Sequence, residues 1–255
     1  MSEGRDPESG SGHDARGVSD VIGFVFVFSL IVASVSIVSV VGLGGLQETR
    51  STAHIENTEL AFDVLANNIE DIQRRRAPAR ATEIRLGGGG LTTGNETVVR
   101  VTVDGVTTNR TIEPIVYEFD DTRIVYESTA VLRSGRGGAV FVREPTFVLP
   151  DGSTPNRTAI PLVDTDVSDD RIGGRTTVLV RTTPTSRSVI NDTDDTTVTM
   201  KIETTEKRAA AWDRYLDDEL PDSDPCSHGG GEAVTCTFDT SRVVVSSTQI
   251  VVDYE

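Results

Sequence analysis

Lysine, histidine, cysteine and aromatic residues are all scarce in this sequence of 255 residues. Only two of the 24 basic residues are lysines, Lys201 and Lys207, and there are three histidines and 5% aromatic residues. No two histidines have the spacing of a metal site, and no serine or cysteine nucleophile motif is present. We therefore expect no catalytic residues, no cofactor and no metal, so the chain is not predicted to be an enzyme.

Positive charge is also in deficit, because 40 acidic residues outweigh the 24 basic ones and give a formal net charge of −16. So acidic a surface repels nucleic acid, which we therefore exclude as a partner. It keeps a protein soluble in concentrated salt, where charges are screened within about 3 Å at 1 M. Together with arginine in place of lysine, this indicates a halophilic protein; the alternative is an acidic domain from ordinary salt.

Cysteine is limited to Cys226 and Cys236, which lie close together near the C-terminus. The pair could form one disulfide outside the cell. Two alternatives stay open: two free or buried cysteines, or a zinc site completed by His228.

Charged residues are absent from one long stretch, Val21–Leu46. As a helix with a rise of 1.5 Å per residue it would be about 39 Å long, which exceeds a hydrocarbon core of about 30 Å. A conventional secretory signal has a basic leader and an apolar run of only about 7–15 residues. The stretch therefore predicts a transmembrane helix, with residues 1–17 as an acidic leader ahead of it.

The residues that join the leader to the apolar run read Arg16-Gly17-Val18-Ser19-Asp20-Val21-Ile22-Gly23. This junction resembles the prepilin-peptidase site of haloarchaeal type IV pilins, commonly R-A-V-S-P-V-I-G, with Asp20 where those pilins usually have proline. The resemblance implies a class III signal peptide that a prepilin peptidase removes between Gly17 and Val18, after Arg16. Ser19, Asp20 and Gly23 would then belong to the assembly helix, and Ser19 or Asp20 would also cap its N-terminus.

A second helical pattern follows the apolar run and makes an amphipathic neck of residues 47–78. Its apolar residues recur at steps of three and four, which predicts one stripe facing the outer domain; they are Leu60, Ala61, Val64, Leu65, Ile69 and Ile72. Pro78 ends this helix. We thus expect one nearly continuous helix over 19–76, whose apolar part, 18–46, lies in the membrane or in a filament core.

Residues 83–255 change to the alternating pattern of β-strands. Asp104-Gly105 and Phe119–Thr122 separate alternating segments as hairpin turns do, and further strands are predicted at 130–132, 139–143, 146–149, 178–182, 197–203, 234–238 and 243–252. A late helix over 207–216 should pack Trp212 on the sheet. The predicted fold class is α+β: a long N-terminal helix followed by an antiparallel β-sandwich-like domain with one short late helix. Residues 128–145 also resemble the outer domains of uncharacterised haloarchaeal pilin-like and archaellin-like proteins.

Four Asn-x-Thr sequons follow the apolar helix, at Asn95, Asn109, Asn156 and Asn191. A sequon acts as an N-glycosylation acceptor only in an exported domain. Their placement in predicted turns and strand edges agrees with an outer domain, and the pilins and archaellins that the chain resembles are commonly N-glycosylated.

Together, the resemblance implies a pilin-like surface subunit with its N-terminus in the cytoplasm and its C-terminal domain outside the cell. Its expected partners are the membrane, a prepilin peptidase and other pilin-like subunits in a filament, and its outer domain would serve adhesion or surface contact. The alternative is an unprocessed single-pass membrane protein with an extracellular β-rich binding domain.

Overall fold

The computed structural model describes residues 14–152, 156–168, 171–221 and 226–255. The chain divides into two compact units, which meet in sequence at Ala53 and His54. Helix α1 (Asp14–Arg75) supplies the described part of the first unit and continues into the second. The long N-terminal helix is therefore confirmed. Because it already begins at Asp14, the expectation that Ser19 or Asp20 caps its N-terminus is wrong.

The second unit is built from β-strands and a second helix, α2 (Glu206–Glu219). Its strands are β1 (Arg80–Arg85), β2 (Gly90–Thr93), β3 (Thr97–Val103), β4 (Val106–Ile112), β5 (Ile115–Phe119), β6 (Thr122–Glu127), β7 (Ala130–Gly135), β8 (Gly138–Arg143), β9 (Thr158–Val167), β10 (Arg171–Gly173), β11 (Thr177–Glu203), β12 (Cys226–His228) and β13 (Ala233–Tyr254).

The strands form two sheets. One has seven strands in the order β12-β13-β11-β3-β4, with β1 added to β11 and β9 added to β13. The other has six strands in the order β10-β2-β5-β6-β7-β8. The pairing of β9 with β13 is parallel, whereas the other ladders of both sheets are antiparallel. The α+β class with a large antiparallel domain and a short late helix is thus confirmed.

Two hairpins turn through pairs of residues with positive φ. Asp104 and Gly105 (φ 49° and 77°) join β3 to β4, and Ser128 and Thr129 (φ 42° and 78°) join β6 to β7. A two-residue hairpin turn needs a left-handed backbone conformation at both central residues, because its twist then matches that of the flanking strands. The Asp-Gly turn is an easy prediction, whereas a β-branched residue such as Thr129 rarely adopts this conformation.

The late strands are longer than the sequence predicts. The segments predicted at 178–182 and 197–203 are parts of the single strand β11, and those at 234–238 and 243–252 are parts of β13. The strand predicted at 146–149 is wrong, because only an isolated bridge joins Val148 to Ala159. The sequence analysis missed β9, which forms a parallel ladder with the last strand of the chain.

Two apolar cores lie between the sheets, and each takes residues from both. The first receives Trp212, Tyr215 and Leu216 from α2, which confirms that this helix packs on the strands. Phe141 meets the Trp212 ring edge-on at a centroid distance of 5.1 Å, and Phe147 stacks on it at 5.8 Å. The second core receives the buried face of α1, which comprises Phe62, Leu65, Ala66, Ile69 and Ile72.

The apolar stripe of the neck is narrower than predicted. Leu65, Ile69 and Ile72 are fully buried, but Leu60 and Val64 are 65% and 50% exposed. At 100° per residue these two side chains point away from the buried face, so the prediction that they pack on the outer domain is wrong.

The C-terminal end of α1 is held by a residue far along the chain. Arg76 adopts a left-handed conformation (φ 57°), which ends the helix. Arg187 of β11 then donates from Nη2 to the carbonyl oxygens of Ile72 (2.9 Å) and Ala77 (3.3 Å). A guanidinium at this position satisfies the Ile72 carbonyl, which is one of the last four of the helix, and complements the negative end of its dipole.

Candidate functional site

The apolar segment of α1, Val21–Ser39, is long and apolar enough to cross a membrane, and none of it is buried by the chain. Its 19 residues correspond to about 28 Å of helix, close to a hydrocarbon core of about 30 Å. Ser34 and Ser36 donate their hydroxyl hydrogens to the carbonyls of Ile31 (2.9 Å) and Val32 (2.8 Å). These two serines thereby find partners within the helix itself, an arrangement that is compatible with apolar surroundings.

The predicted processing junction lies at the start of this helix. Arg16, Gly17, Val18, Ser19 and Asp20 fall within the first turns of α1, and their side chains lie outside the described residues, as do leader residues 1–13. Gly23 is described, and a Cβ built on it would meet no heavy atom within 4 Å among the described residues. No described part of the chain therefore requires this position to be small.

At the start of the second unit, His54 forms a hydrogen-bonded cluster with Tyr117 and Leu86. The Tyr117 hydroxyl donates to the Leu86 carbonyl (2.6 Å), and His54 Nε2 lies 2.6 Å from the hydroxyl oxygen and 3.1 Å from the same carbonyl. Burial raises the pKa of Tyr117 to about 12. Because Tyr117 donates its only hydrogen to Leu86, Nε2 of His54 carries the hydrogen of the contact between His54 and the Tyr117 hydroxyl.

Gly87 fits against this hydrogen-bonded cluster only because it lacks a side chain. It has a φ of 58°, and a Cβ there would overlap the imidazole ring of His54. The segment Gly87–Gly90 is a tight turn in which Gly89 N–H bonds to the Leu86 carbonyl (2.8 Å) before β2 begins at Gly90. This turn holds β1 and β2 beside the point where α1 enters the second unit.

A row of ion pairs and hydrogen bonds joins the neck part of α1 to strands β7 and β8. Arg143 donates to Asp63 (2.8 Å), Asn67 (2.9 Å) and Glu70 (2.7 Å), while Arg133 pairs with Glu59 (3.0 Å). Within this unit the helix is therefore held by its buried apolar face and also by charged contacts along one flank. Ion pairs of this kind are screened weakly when they are partly buried.

One charged cluster lies inside the domain. Glu127 is fully buried and pairs with Arg208, and it also accepts hydrogen bonds from Trp212 Nε1 (2.7 Å) and Thr97 Oγ1 (2.7 Å). Arg208 donates in addition to the Asn95 carbonyl (3.0 Å) and to Thr205 Oγ1 (3.1 Å). The polar groups of this cluster thus satisfy one another, which suits a structural role that joins α2 to β6 and β3.

The two cysteines are joined in a disulfide, Cys226–Cys236, which links β12 to β13. His228 lies two residues on and places Nδ1 3.2 Å from the Ala233 carbonyl. With both sulfurs in the disulfide, the zinc site considered from the sequence loses its thiolate ligands.

The described residues contain no group of three or more histidine, cysteine, aspartate or glutamate side chains arranged to hold a metal ion. A polar depression of about 700 Å³ lies where the turn after β3 meets β11 and β13. Asp104, Asp195 and Asp239 line it together with threonine and serine side chains. Its carboxylates contact hydroxyls: Asp104 accepts from Thr196 (2.5 Å) and Asp239 from Thr197 (2.6 Å).

The sequons lie on different parts of the domain. Asn95 precedes β3, Asn109 lies on β4, and Asn156 precedes β9. Asn191 lies on β11 opposite Val245, and its side chain is outside the described residues.

Comparison with known proteins gives one family. The model of a family of unknown function, DUF7289, matches residues 16–253, which include the Arg16–Gly17 junction, the apolar helix and almost all of the β-rich domain. No curated protein and no solved structure matches the chain. The chain therefore belongs to the DUF7289 family.

Proposed function

We propose that this chain is a membrane-inserted, pilin-like surface subunit, whose N-terminal helix is processed by a prepilin peptidase and then packs in a type IV pilus-like filament. The observation that carries the proposal is the apolar segment Val21–Ser39, none of which is buried by the residues that the structure describes. Burying so much apolar surface is strongly favourable, at about 25 cal/mol per Å². The segment therefore needs an apolar environment from outside the chain, first lipid and then neighbouring helices.

The surface of the segment suits helix packing as well as lipid. Gly23 is small although no described residue would clash with a side chain there, and small residues allow helix backbones to approach closely. Phe24 and Phe28 stack one turn apart at a centroid distance of 6.0 Å and form a ridge. A ridge beside a small residue gives neighbouring helices a surface on which they can interdigitate in a head-to-tail filament contact.

The junction ahead of the helix supports processing before assembly. Arg16 and Gly17 lie directly before the segment, and the family match begins at Arg16. Removing residues 1–17 would place Val18 at the N-terminus, three residues before the membrane-spanning candidate.

The β-rich domain supports an outward orientation. A disulfide is rare in the cytosol and persists in oxidising surroundings outside the cell, and Cys226 and Cys236 are joined in the structure. The leader, with the cytoplasmic N-terminus, and the outer domain would then lie on opposite sides of the membrane. In this arrangement the outer domain faces solvent and serves adhesion or surface contact.

The mature N-terminus tests this proposal. Mass spectrometry of the membrane fraction and of material sheared from cells should find chains that begin at Val18. The Gly17→Val variant should keep the leader, because a branched side chain replaces the small residue at the cleavage site. The matched Gly10→Val variant changes the same residue type within the leader and should be processed normally.

An unprocessed single-pass protein with an extracellular binding domain gives the opposite result. All of its mature chains would begin at Met1 or Ser2 and stay in the membrane fraction, with no sheared material. Normal processing of the Gly17→Val variant would refute the assigned cleavage site.

A further inference from the structure

The sequons differ in how accessible their asparagine amide and their hydroxyl group are in the folded domain. N-glycosylation requires the side-chain amide of the asparagine and the hydroxyl of the residue two positions later, and a glycan needs a surface position. In a folded domain both groups must therefore be within reach of the transferase. The structure describes both groups for three of the sequons.

The first sequon has a buried hydroxyl. Asn95 is exposed, but Thr97 is fully buried. Thr97 Oγ1 donates to Glu127 (2.7 Å) and lies 3.0 Å from Thr204 Oγ1, inside the charged cluster with Arg208. A transferase could reach this hydroxyl only by opening the cluster.

The third sequon, like the first, has a buried hydroxyl. Asn156 Oδ1 accepts a hydrogen bond from the backbone N–H of Ser241 (2.7 Å). Thr158 is 2% exposed and donates its hydroxyl hydrogen to Thr240 Oγ1 (2.9 Å). A transferase could reach this hydroxyl only by separating the start of β9 from β13.

The second sequon presents both groups to solvent. Asn109 and Thr111 are both exposed. They are two residues apart on β4, so their side chains project from the same face of the sheet. Asn109 Oδ1 accepts a hydrogen bond from Arg100 Nε (2.9 Å). That contact uses the oxygen of the amide and not Nδ2, which is the atom that a sugar would join.

Asn109 also lies at the outer edge of the seven-stranded sheet, because β4 pairs with β3 and has no second ladder among the described residues. Contact with β9 occurs just past the end of β4, where Glu113 N–H bonds to the Thr165 carbonyl (3.1 Å). The Asp104-Gly105 turn joins the hydrogen-bonded pair Val103–Val106. From Val106 onward, every second residue of β4 therefore directs its N–H and C=O groups toward β3. Asn109 pairs with Arg100 at one of the intervening positions, and its own N–H and C=O face outward. Its carbonyl accepts from the Arg110 guanidinium (2.7 Å).

We propose that Asn109 is the N-glycan acceptor among the three sequons whose side chains the structure describes, and that its glycan covers the outer edge of β4. This inference rests on the outward placement of the domain in the proposed function. The co-substrate is an oligosaccharide carried on a polyprenyl phosphate or diphosphate. A bond forms between Nδ2 of Asn109 and the anomeric carbon, and the bond from that carbon to the lipid phosphate oxygen breaks. The phosphate leaves with the electron pair, and Nδ2 gives up one proton to a base of the transferase.

The edge gives such a glycan a physical role. An exposed edge strand offers unpaired N–H and C=O groups to another sheet, and proteins commonly block it with charge, proline or a covering group. Val106 is exposed at the start of this edge, and the residues at the outward positions, Thr107, Asn109 and Thr111, are neither charged nor proline. The Arg110 guanidinium covers the Asn109 carbonyl, which leaves the Asn109 side chain itself exposed. A bulky hydrophilic chain at the middle position would prevent edge-to-edge pairing.

Glycopeptide mass spectrometry of the full chain, isolated from the membranes of its native cells, tests the proposal. We expect a glycan on the peptide that contains Asn109 and unmodified peptides around Asn95 and Asn156. Asn109→Gln and Thr111→Val should each lose one glycan and migrate faster in electrophoresis. Thr111→Ser keeps a sequon and should retain the glycan, and Asn95→Gln should migrate as the unaltered chain does.

An unmodified Asn109 would overturn the proposal, and so would equal modification of Asn95 or Asn156, because accessibility would then not decide the site. The same digest contains the N-terminal peptide, so the two proposals are separable. Chains that begin at Val18 but lack the glycan refute only the modification site. Chains that carry the glycan but begin at Met1 or Ser2 refute only the processing.

Discussion

Replacing Arg208 with methionine should strongly destabilise the β-rich domain. The Glu127 side chain is fully buried and that of Arg208 is 5% exposed, so the substitution leaves a buried carboxylate without its cation. The hydrogen bonds from Trp212 and Thr97 remain, at 2.7 Å each, but they do not replace a full charge. Breaking a buried ion pair from one side costs about 3–5 kcal/mol. For a domain of this size, the cost corresponds to a fall in the melting temperature of about 6–20 °C.

Trp212 makes the measurement direct, because it is the only tryptophan in the chain and its indole N–H bonds to Glu127. Thermal unfolding of the full chain in detergent, followed by tryptophan fluorescence, gives the midpoint for each variant. Glu127→Gln/Arg208→Met removes both charges and keeps an acceptor for the indole, so it should cost less than Arg208→Met alone. A loss below about 1 kcal/mol for Arg208→Met, or a larger loss for the double variant, would refute the reasoning.

Two further predictions concern the local constraints. Replacing Cys226 and Cys236 with serine should lower stability by about 2–3 kcal/mol, as expected for a loop of this length; denaturant unfolding with and without reductant measures it, and an unchanged midpoint would contradict it. Gly87→Ala should cost at least about 1 kcal/mol more than Gly105→Ala, because both residues have positive φ but only at Gly87 would a Cβ overlap the His54 ring. Equal losses in the two melting curves would show that the His54 contact contributes nothing.

Local patterns in the sequence predict much of this fold. The apolar run, the Asp104-Gly105 hairpin and the late helix with Trp212 depend on spacings of only a few residues, and each is found where the pattern indicates. The neck also shows a limit of such patterns. A helical repeat marks residues at steps of three and four, but it does not say how wide a face the partner covers, so Leu60 and Val64 were assigned to the stripe although they are exposed.

The contacts that are missing from the sequence analysis join distant parts of the chain. Arg187 reaches the end of α1 across 115 residues, and Arg208 reaches Glu127 across 81. No local spacing specifies such a pair, because each arginine is indistinguishable in sequence from an exposed one. The parallel ladder of β9 with β13 has the same cause, since a parallel partner need not be a neighbour in sequence.

The candidate site also contains features that local sequence predicts and features that depend on distant contacts. The apolar helix and the junction before it were predicted from the sequence, because membrane insertion depends on one continuous segment. The ranking of the sequons was not, because it depends on whether Thr97 and Thr158 meet distant partners in the folded domain.

The position of β13 sets the order of events in biogenesis. This last strand of the chain pairs with β9, β11 and β12 and supplies residues to both apolar cores. Neither core can be completed before the final residues are made. At about 5–20 residues per second, synthesis of residues 54–255 takes roughly 10–40 s after the apolar helix has emerged. The apolar helix is therefore complete long before the domain that follows it can fold, so the two parts of the chain reach their final surroundings at different times.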